Sequence, residues 1–259
     1  MKFFGRIHEL ENLNSHWGKT TSSLIVIRGR RRIGKSTLVE KFAESANDYL
    51  KFEGLAPADN HKKISQIEHM NRLIQSQLKS TKKYKTWLDI FKAIDSKIKK
   101  RKTVLFLDEI SWMGMDDPDF PGYLKIAWDN LFSKHDKLVV VLAGSVSAWI
   151  EKNILMHTAF VGRISSTMTL SQLSLEETKS FFAHDKNLST YDKLKFLSIT
   201  GGVPKYINEY KSQKTVNQNI HQLCFDANGL LFNEFDRIFK DIFTRRSETY
   251  KKIVESLYI

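Results

Sequence analysis

Apolar residues along this chain follow two rhythms, and the change from one to the other divides it. Up to about residue 170, short apolar runs recur at Ser23–Arg28, Tyr49–Glu53, Thr103–Leu107, Leu138–Ala143 and, more weakly, Ser166–Leu170. Runs of that length bounded by polar residues predict β-strands. Between them lie stretches with helical spacing. Leu124, Ala127, Trp128 and Leu131 recur at i, i+3, i+4 and i+7, and Ile64, Ile67, Leu73, Ile74 and Leu78 do much the same. Strands alternating with helices predict an α/β fold, a parallel sheet flanked by helices.

From about Ser174 the strand signals stop. Ser174-Leu175-Glu176-Glu177 has the form of a capping box, the serine accepting from the first turn and Glu177 reaching back. Helical segments are expected at Leu175–Phe182, Tyr191–Ile199, Pro204–Tyr210, Val216–Cys224, Leu230–Phe243 and Glu248–Leu257. The expected organisation is an α/β core over 1–172, a smaller all-helical lid domain over 173–245, and a short C-terminal segment over 246–259.

Between the first strand and the next helix stands Gly29-Arg30-Arg31-Arg32-Ile33-Gly34-Lys35-Ser36-Thr37, which matches G-x-x-x-x-G-K-[ST] in full. Gly29 and Gly34 allow the backbone to turn so that successive N–H groups face phosphate oxygens. The helix N-terminus adds partial positive charge. Lys35 is expected to reach the β- and γ-phosphates, and the Ser36 hydroxyl to bind Mg²⁺. The spacing is not the G-x-G-x-x-G of a dinucleotide fold.

A second apolar strand ends in Asp108-Glu109. Asp108 is expected in the Mg²⁺ shell, the Walker-B role, and Glu109 as the base that polarises water. That pair favours hydrolysis over transfer to a small substrate. Val139–Leu142 leads into Ala143-Gly144-Ser145, where Ser145 reads as a γ-phosphate or water sensor, as the N-cap of a helix over Val146–Ile150, or as both. No Asn-Lys-x-Asp signal for guanine occurs, which favours adenine.

Composition narrows the classes further. The single cysteine, Cys224, excludes an internal disulfide, fits a reducing cytoplasm, and sits in an apolar helical pattern that reads as core. No apolar run is long enough to span a bilayer, and neither a zincin H-E-x-x-H nor a G-x-S-x-G elbow is present. The net charge of +12, densest at Arg28–Arg32, Lys79–Lys85 and Lys97–Lys102, raises DNA or RNA as a partner; the alternative is a set of solvated helix faces.

With these motifs in place, the chain resembles, over most of its length, the archaeal-type ATPase family of the STAND branch of the AAA+ P-loop NTPases. Phe3-Phe4-Gly5-Arg6 with Glu9, Leu10 and Leu13 resembles the family's F-x-G-R-x-x-E-L box, which implies that Gly5 and Arg6 lie beside adenine. The Arg-rich loop is similar to G-R-R-R-x-G-K-[ST], Leu107–Ile110 with Trp112 to the family's Walker B, and Ala143-Gly144-Ser145 to its sensor strand. Gly162-Arg163 resembles a G-R pair whose arginine touches the γ-phosphate or a neighbouring subunit; the bland alternative is pairing with a surface carboxylate. Gly201-Gly202-Val203-Pro204-Lys205-Tyr206 resembles the G-G-x-P-x-Y lid motif, placing Pro204 near the base. Ser247–Val254 resembles the opening helix of a winged-helix module, and the sequence stops at Ile259. The family's nucleic-acid role is therefore not expected to carry over intact. Two functions follow as expectations. One is a Mg²⁺-dependent ATPase that alternates between ATP and ADP states as a switch read by a protein partner or a second copy. The other is a nucleic-acid-associated module in which ATP has a structural or regulatory role.

Overall fold

A computed structural model describes residues 3–56, 63–145, 148–185, 187–232, 234 and 247–256. Five strands, β1 (Ser23–Gly29), β2 (Asp48–Glu53), β3 (Thr103–Asp108), β4 (Leu138–Gly144) and β5 (Ile164–Leu170), form one sheet in the order β2-β3-β4-β1-β5. Every neighbouring pair is parallel. The α/β sheet expected from the alternating pattern is present, and burial explains how legible each strand was. β3 and β4 are buried at every position, so they read as continuous apolar runs. β5 lies at an edge, and from Ile164 to Thr169 it alternates half-buried and exposed residues. Its short run was therefore the weakest signal, and it begins at Ile164, two residues before the apolar pattern suggested.

Helices α1 (Ile7–Ser15), α2 (Lys35–Ala43), α3 (Lys63–Leu78), α4 (Trp87–Asp95), α5 (Ile110–Gly114) and α6 (Phe120–Asn130) connect or precede the strands. A single turn α7 (Ala148–Ile150) runs into a π-helical turn at Glu151–Leu155. Ile67, Ile74 and Leu78 of α3, and Leu124, Ala127 and Trp128 of α6, enter one core with β1, β3 and β4. The Ile64 side chain lies outside the described set. Trp87 anchors α4 in that core: its ring meets Phe120 edge-on at 4.6 Å, and its Nε1–H donates to Asp117 Oδ2 at 3.0 Å. An indole this deeply buried requires such a partner.

The chain divides into two compact units. The α/β unit comprises Ile7–Gly29 and Lys35–Leu170; the other comprises Met1–Arg6, Arg30–Gly34 and Ser171–Ile259. In the second unit the capping box forms: Glu177 N–H donates to Ser174 Oγ at 3.2 Å and Ser174 N–H to Glu177 Oε2 at 2.8 Å. It opens α8 (Leu175–Thr178), which tightens into a 3₁₀ turn at Lys179–Phe182 instead of continuing as the single helix expected. Thr178 donates its hydroxyl to Leu175 O at 2.7 Å at the point of tightening.

α9 (Thr190–Thr200), α10 (Pro204–Ile207), α11 (Val216–Cys224) and a helix at Ser247–Glu255 complete the described helices of this unit. α10 is shorter than the expected Pro204–Tyr210, and the Tyr210 hydroxyl donates to Asp185 Oδ2 at 2.7 Å beyond it. Most of the expected Leu230–Phe243 helix lies outside the described residues. Leu173, Phe181, Phe182, Phe196, Ile207, Val216 and Leu223 form a separate core, with Phe4 packed on it. Cys224 packs at its border, as a core cysteine would.

Gly202 is the tightest point in this unit. A Cβ there would lie 2.0 Å from Leu173 O, in a segment where Leu173 N–H also donates to Gly202 O at 2.8 Å. Relieving that overlap requires the backbone to move. Gly202→Ala is therefore expected to cost at least about 2 kcal/mol in urea unfolding, and an unchanged midpoint would refute the close approach.

Candidate functional site

In a parallel sheet the C-terminal ends of the strands share one edge, where ligands of open α/β sheets bind. β4 lies between β1 and β3, with Arg28 in register with Gly144 and Leu107 with Leu142. Gly29, Asp108-Glu109 and Gly144-Ser145 therefore leave the sheet side by side. Sequence spacing of about 80 and 35 residues gives no hint of this.

Lys35 opens α2, whose first N–H groups have no intrahelical partner. Its ammonium is buried and donates to Gly29 O at 3.0 Å, folding back over the strand end. The next residue, Ser36, donates its hydroxyl to Asp108 Oδ2 at 2.7 Å. Asp108 is 3% exposed, and its Oδ1 accepts the Glu109 N–H at 3.0 Å. The structure thus brings together the lysine, the hydroxyl and the carboxylate from two distant motifs. Thr37 follows on α2, half-buried.

A further cation stands here that no motif signalled. Lys51, within β2, lies 3.0 Å from Glu40 Oε1 and 3.6 Å from Asp108 Oδ2, with its ammonium 5.5 Å from the Phe106 ring centre. Burial pushes the Lys51 pKa down, but the Glu40 bond and the Asp108 charge outweigh it and hold the amine above its ordinary range.

Glu109 adopts φ 48° and ψ 50°, a left-handed conformation costly for a residue with a Cβ. Gly54, just past β2, makes room for it: a Cβ at Gly54 would sit 2.7 Å from Glu109 O, and the Gly54 N–H donates to Asp108 O at 3.0 Å. Gly54 is a second site residue missed from sequence, because only the paired strands reveal the approach. Ser145 is half-buried at the end of β4. Its alternative reading as a cap involves residues 146–147, outside the described set.

Arg163 is engaged elsewhere on the α/β unit. Its Nε and Nη2 donate to the two Asp129 oxygens at 2.6 and 2.9 Å, and Lys125 joins at 2.9 Å. The Arg163 hydrogen bonds are the leading reason the Asp129 carboxyl falls to about 2.

In the other unit, Gly5 and Arg6 both have positive φ, 70° and 60°. The buried Arg6 guanidinium donates to Ser171 O at 2.5 Å and Ile33 O at 3.3 Å, while its N–H donates to Glu177 Oε1 at 2.7 Å. Burial alone would raise the Glu177 carboxyl; the Arg6 and Ser174 amides outweigh it and hold it below the usual range. Arg30 and Arg31 are exposed and Ile33 is buried. Gly34 has φ 94°, a region that favours glycine, and a Cβ there would come within 3.9 Å of Pro204 Cγ. Arg32, also left-handed at φ 67°, lies 2.6 Å from Glu234 Oε2 and 5.8 Å from the Tyr206 ring centre. The Tyr206 hydroxyl donates to Glu234 Oε1 at 2.6 Å.

The strand order, the glycine-bounded loop ahead of α2 and the Ser36–Asp108 pairing define a P-loop NTPase of AAA+ type. A family model for the ATPase domain predominantly from Archaea matches residues 3–210, and the chain belongs to that family. An uncharacterized protein of Methanocaldococcus jannaschii is 24% identical over 266 aligned positions, covering 98% of this chain. This chain spans only 54% of that relative's length. A Walker-type ATPase of Pyrococcus abyssi has the same fold, with TM-score 0.65 at 16% identity over 96% of this chain and 77% of its own. An ORC2 protein of Aeropyrum pernix, solved as ADPNP–ADP complexes, gives 0.53 at 15% over 85% and 62%.

The Asp129 carboxyl, depressed below its unfolded value, contributes stability that is present above about pH 4 and lost as pH falls towards 2. After allowance for solvent screening of this partly exposed pair, Asp129→Asn should cost about 1 kcal/mol at pH 7. The gap between variant and parent in urea unfolding should close on acidification; a constant gap would contradict the pairing.

Proposed function

We propose that this chain is a Mg²⁺-dependent ATPase of STAND type that works as a nucleotide-controlled switch. The observation that carries this reading is the cluster of buried Lys35 and Asp108 with half-buried Ser36 at the C-terminal sheet edge. A hydroxyl and a carboxylate oxygen within hydrogen-bonding distance suit a hard divalent cation that takes few protein ligands and completes its shell with phosphate and water. When bound, Mg²⁺ would neutralise charge on the phosphates.

The remaining roles belong to the chain. Backbone amides from Gly29 to Thr37 bind phosphate oxygens, and the Lys35 ammonium moves from Gly29 O to the β- and γ-phosphates. Glu109, oriented by its left-handed backbone and by Gly54, accepts the proton of the attacking water. Ser145 hydrogen-bonds that water or the γ-phosphate. Gly5, Arg6 and Pro204 flank adenine. Arg163 can act on nucleotide, in its own subunit or a second copy, only when its pair with Asp129 opens. The switch consists of ATP and ADP binding two conformations differently, with a protein partner or a second copy as reader. No helix among the described residues is long and apolar enough to cross a membrane, and a cytoplasmic setting is part of the proposal.

Titration of ATP with Mg²⁺ into Lys35→Ala should show affinity lowered at least about tenfold, since a charge-assisted bond to phosphate is removed. Unchanged affinity would remove the cradle. Glu109→Gln should keep ATP binding while phosphate release drops by about 10²–10⁴-fold. Hydrolysis at the parental rate would reject Glu109 as the base.

A further inference from the structure

The basic run Lys79–Lys85 lies outside the segments that the proposed function assigns to nucleotide. It joins α3 to α4 in irregular backbone, yet it is fixed in place. Asn71 of α3 donates to Tyr84 O at 2.8 Å and accepts the Tyr84 N–H at 2.7 Å, and the Tyr84 hydroxyl lies 3.0 Å from Ser80 Oγ. The tyrosine ring packs on the core, so the lysines on either side project outward from an anchored loop.

Ile67 and Tyr84 supply apolar surface in a groove of about 690 Å³ that is also lined by Arg72, Lys82, Lys83 and Lys85. Lys92 of α4 lines an adjoining cleft with the same three lysines. All five cations are exposed. Among the described residues none of them pairs with a carboxylate, whereas Arg28, Lys51, Arg101 and Arg163 each do. Glu68 is the one acid lining the groove. In the adjoining cleft the acid is Asp89, whose carboxylate accepts the Thr86 hydroxyl at 2.7 Å. Four cations against one acid repel one another unless a counter-charge is bound.

The groove combines four exposed cations with apolar surface from Ile67 and Tyr84, on a loop anchored by Asn71. A single phosphate would satisfy one or two of its lysines. A polyanion with regularly spaced charges and flat apolar faces satisfies both features, the combination by which single strands are held. We propose that this groove binds a single-stranded nucleic-acid segment, its phosphates on Arg72, Lys82, Lys83 and Lys85 and a base against Ile67 and Tyr84. Nothing in this depends on ATP binding at the sheet edge.

The test uses the full chain and fluorescence anisotropy of a labelled mixed-sequence oligonucleotide between about 50 and 200 mM salt. The combined Lys82→Ala, Lys83→Ala and Lys85→Ala variant should bind at least about tenfold more weakly than the parent. Its log–log salt slope should shrink by about 2, at roughly 0.7 for each phosphate no longer neutralised. A charge-matched variant, Lys97→Ala, Lys99→Ala and Lys100→Ala, should stay within about twofold of the parent. Equal weakening in both variants would overturn the location, and parental affinity and slope in the first would overturn the site. Competition by polyglutamate of matched charge as effective as by unlabelled oligonucleotide would overturn nucleic acid in favour of an acidic peptide. ATP affinity, measured on the same variants, should not change, which separates this proposal from the ATPase reading.

Discussion

A carboxylate buried to 3% exposure imposes the strongest constraint on the α/β unit. An uncompensated ion in that position would cost several kcal/mol, so Asp108 dictates what its neighbours must be. Ser36 donates a hydroxyl, Glu109 a backbone N–H, and Lys51 places an ammonium 3.6 Å away. These three come from α2, the start of α5 and β2, and each element is thereby fixed relative to the sheet edge. The same geometry places a hydroxyl and a carboxylate oxygen side by side, a pairing suited to a hard cation.

Backbone strain follows the same map. Among the described residues, Arg6, Arg32, Lys79 and Glu109 are the non-glycine positions with positive φ. Three of them lie in the segments that resemble nucleotide-binding motifs. Each is held by specific partners: Arg6 by Glu177 and Ser171, Arg32 by Glu234, and Glu109 by the space at Gly54. Strain of this kind persists only where the surroundings over-determine it, and it accumulates where a side chain must be aimed.

The chain deploys its surplus positive charge in two ways. Lys51, Arg32 and Arg163 each face a carboxylate and serve as fixed parts of the fold. The cations around Tyr84 have no such matches among the described residues and instead rim a groove anchored by Asn71. Paired cations stiffen a structure, whereas a cluster without counter-charge stores repulsion that a polyanion relieves.

The five strands, the phosphate loop and the Asp108-Glu109 pair were legible in the chain because each is a local pattern. Strand burial produces apolar runs, and a glycine-bounded turn followed by Lys-Ser is set by its own backbone geometry. The α8 break, the engagement of Arg163 by Asp129 and the roles of Lys51, Gly54 and Glu234 were not legible. Each depends on residues brought together across the fold, and Cβ clearance or a charge partner has no signature in linear spacing. The sequence by itself determined the kinds of element and the position of the glycine-bounded loop between β1 and α2. Only the tertiary structure decided which carboxylate meets which cation, because that is a matter of strand order and register.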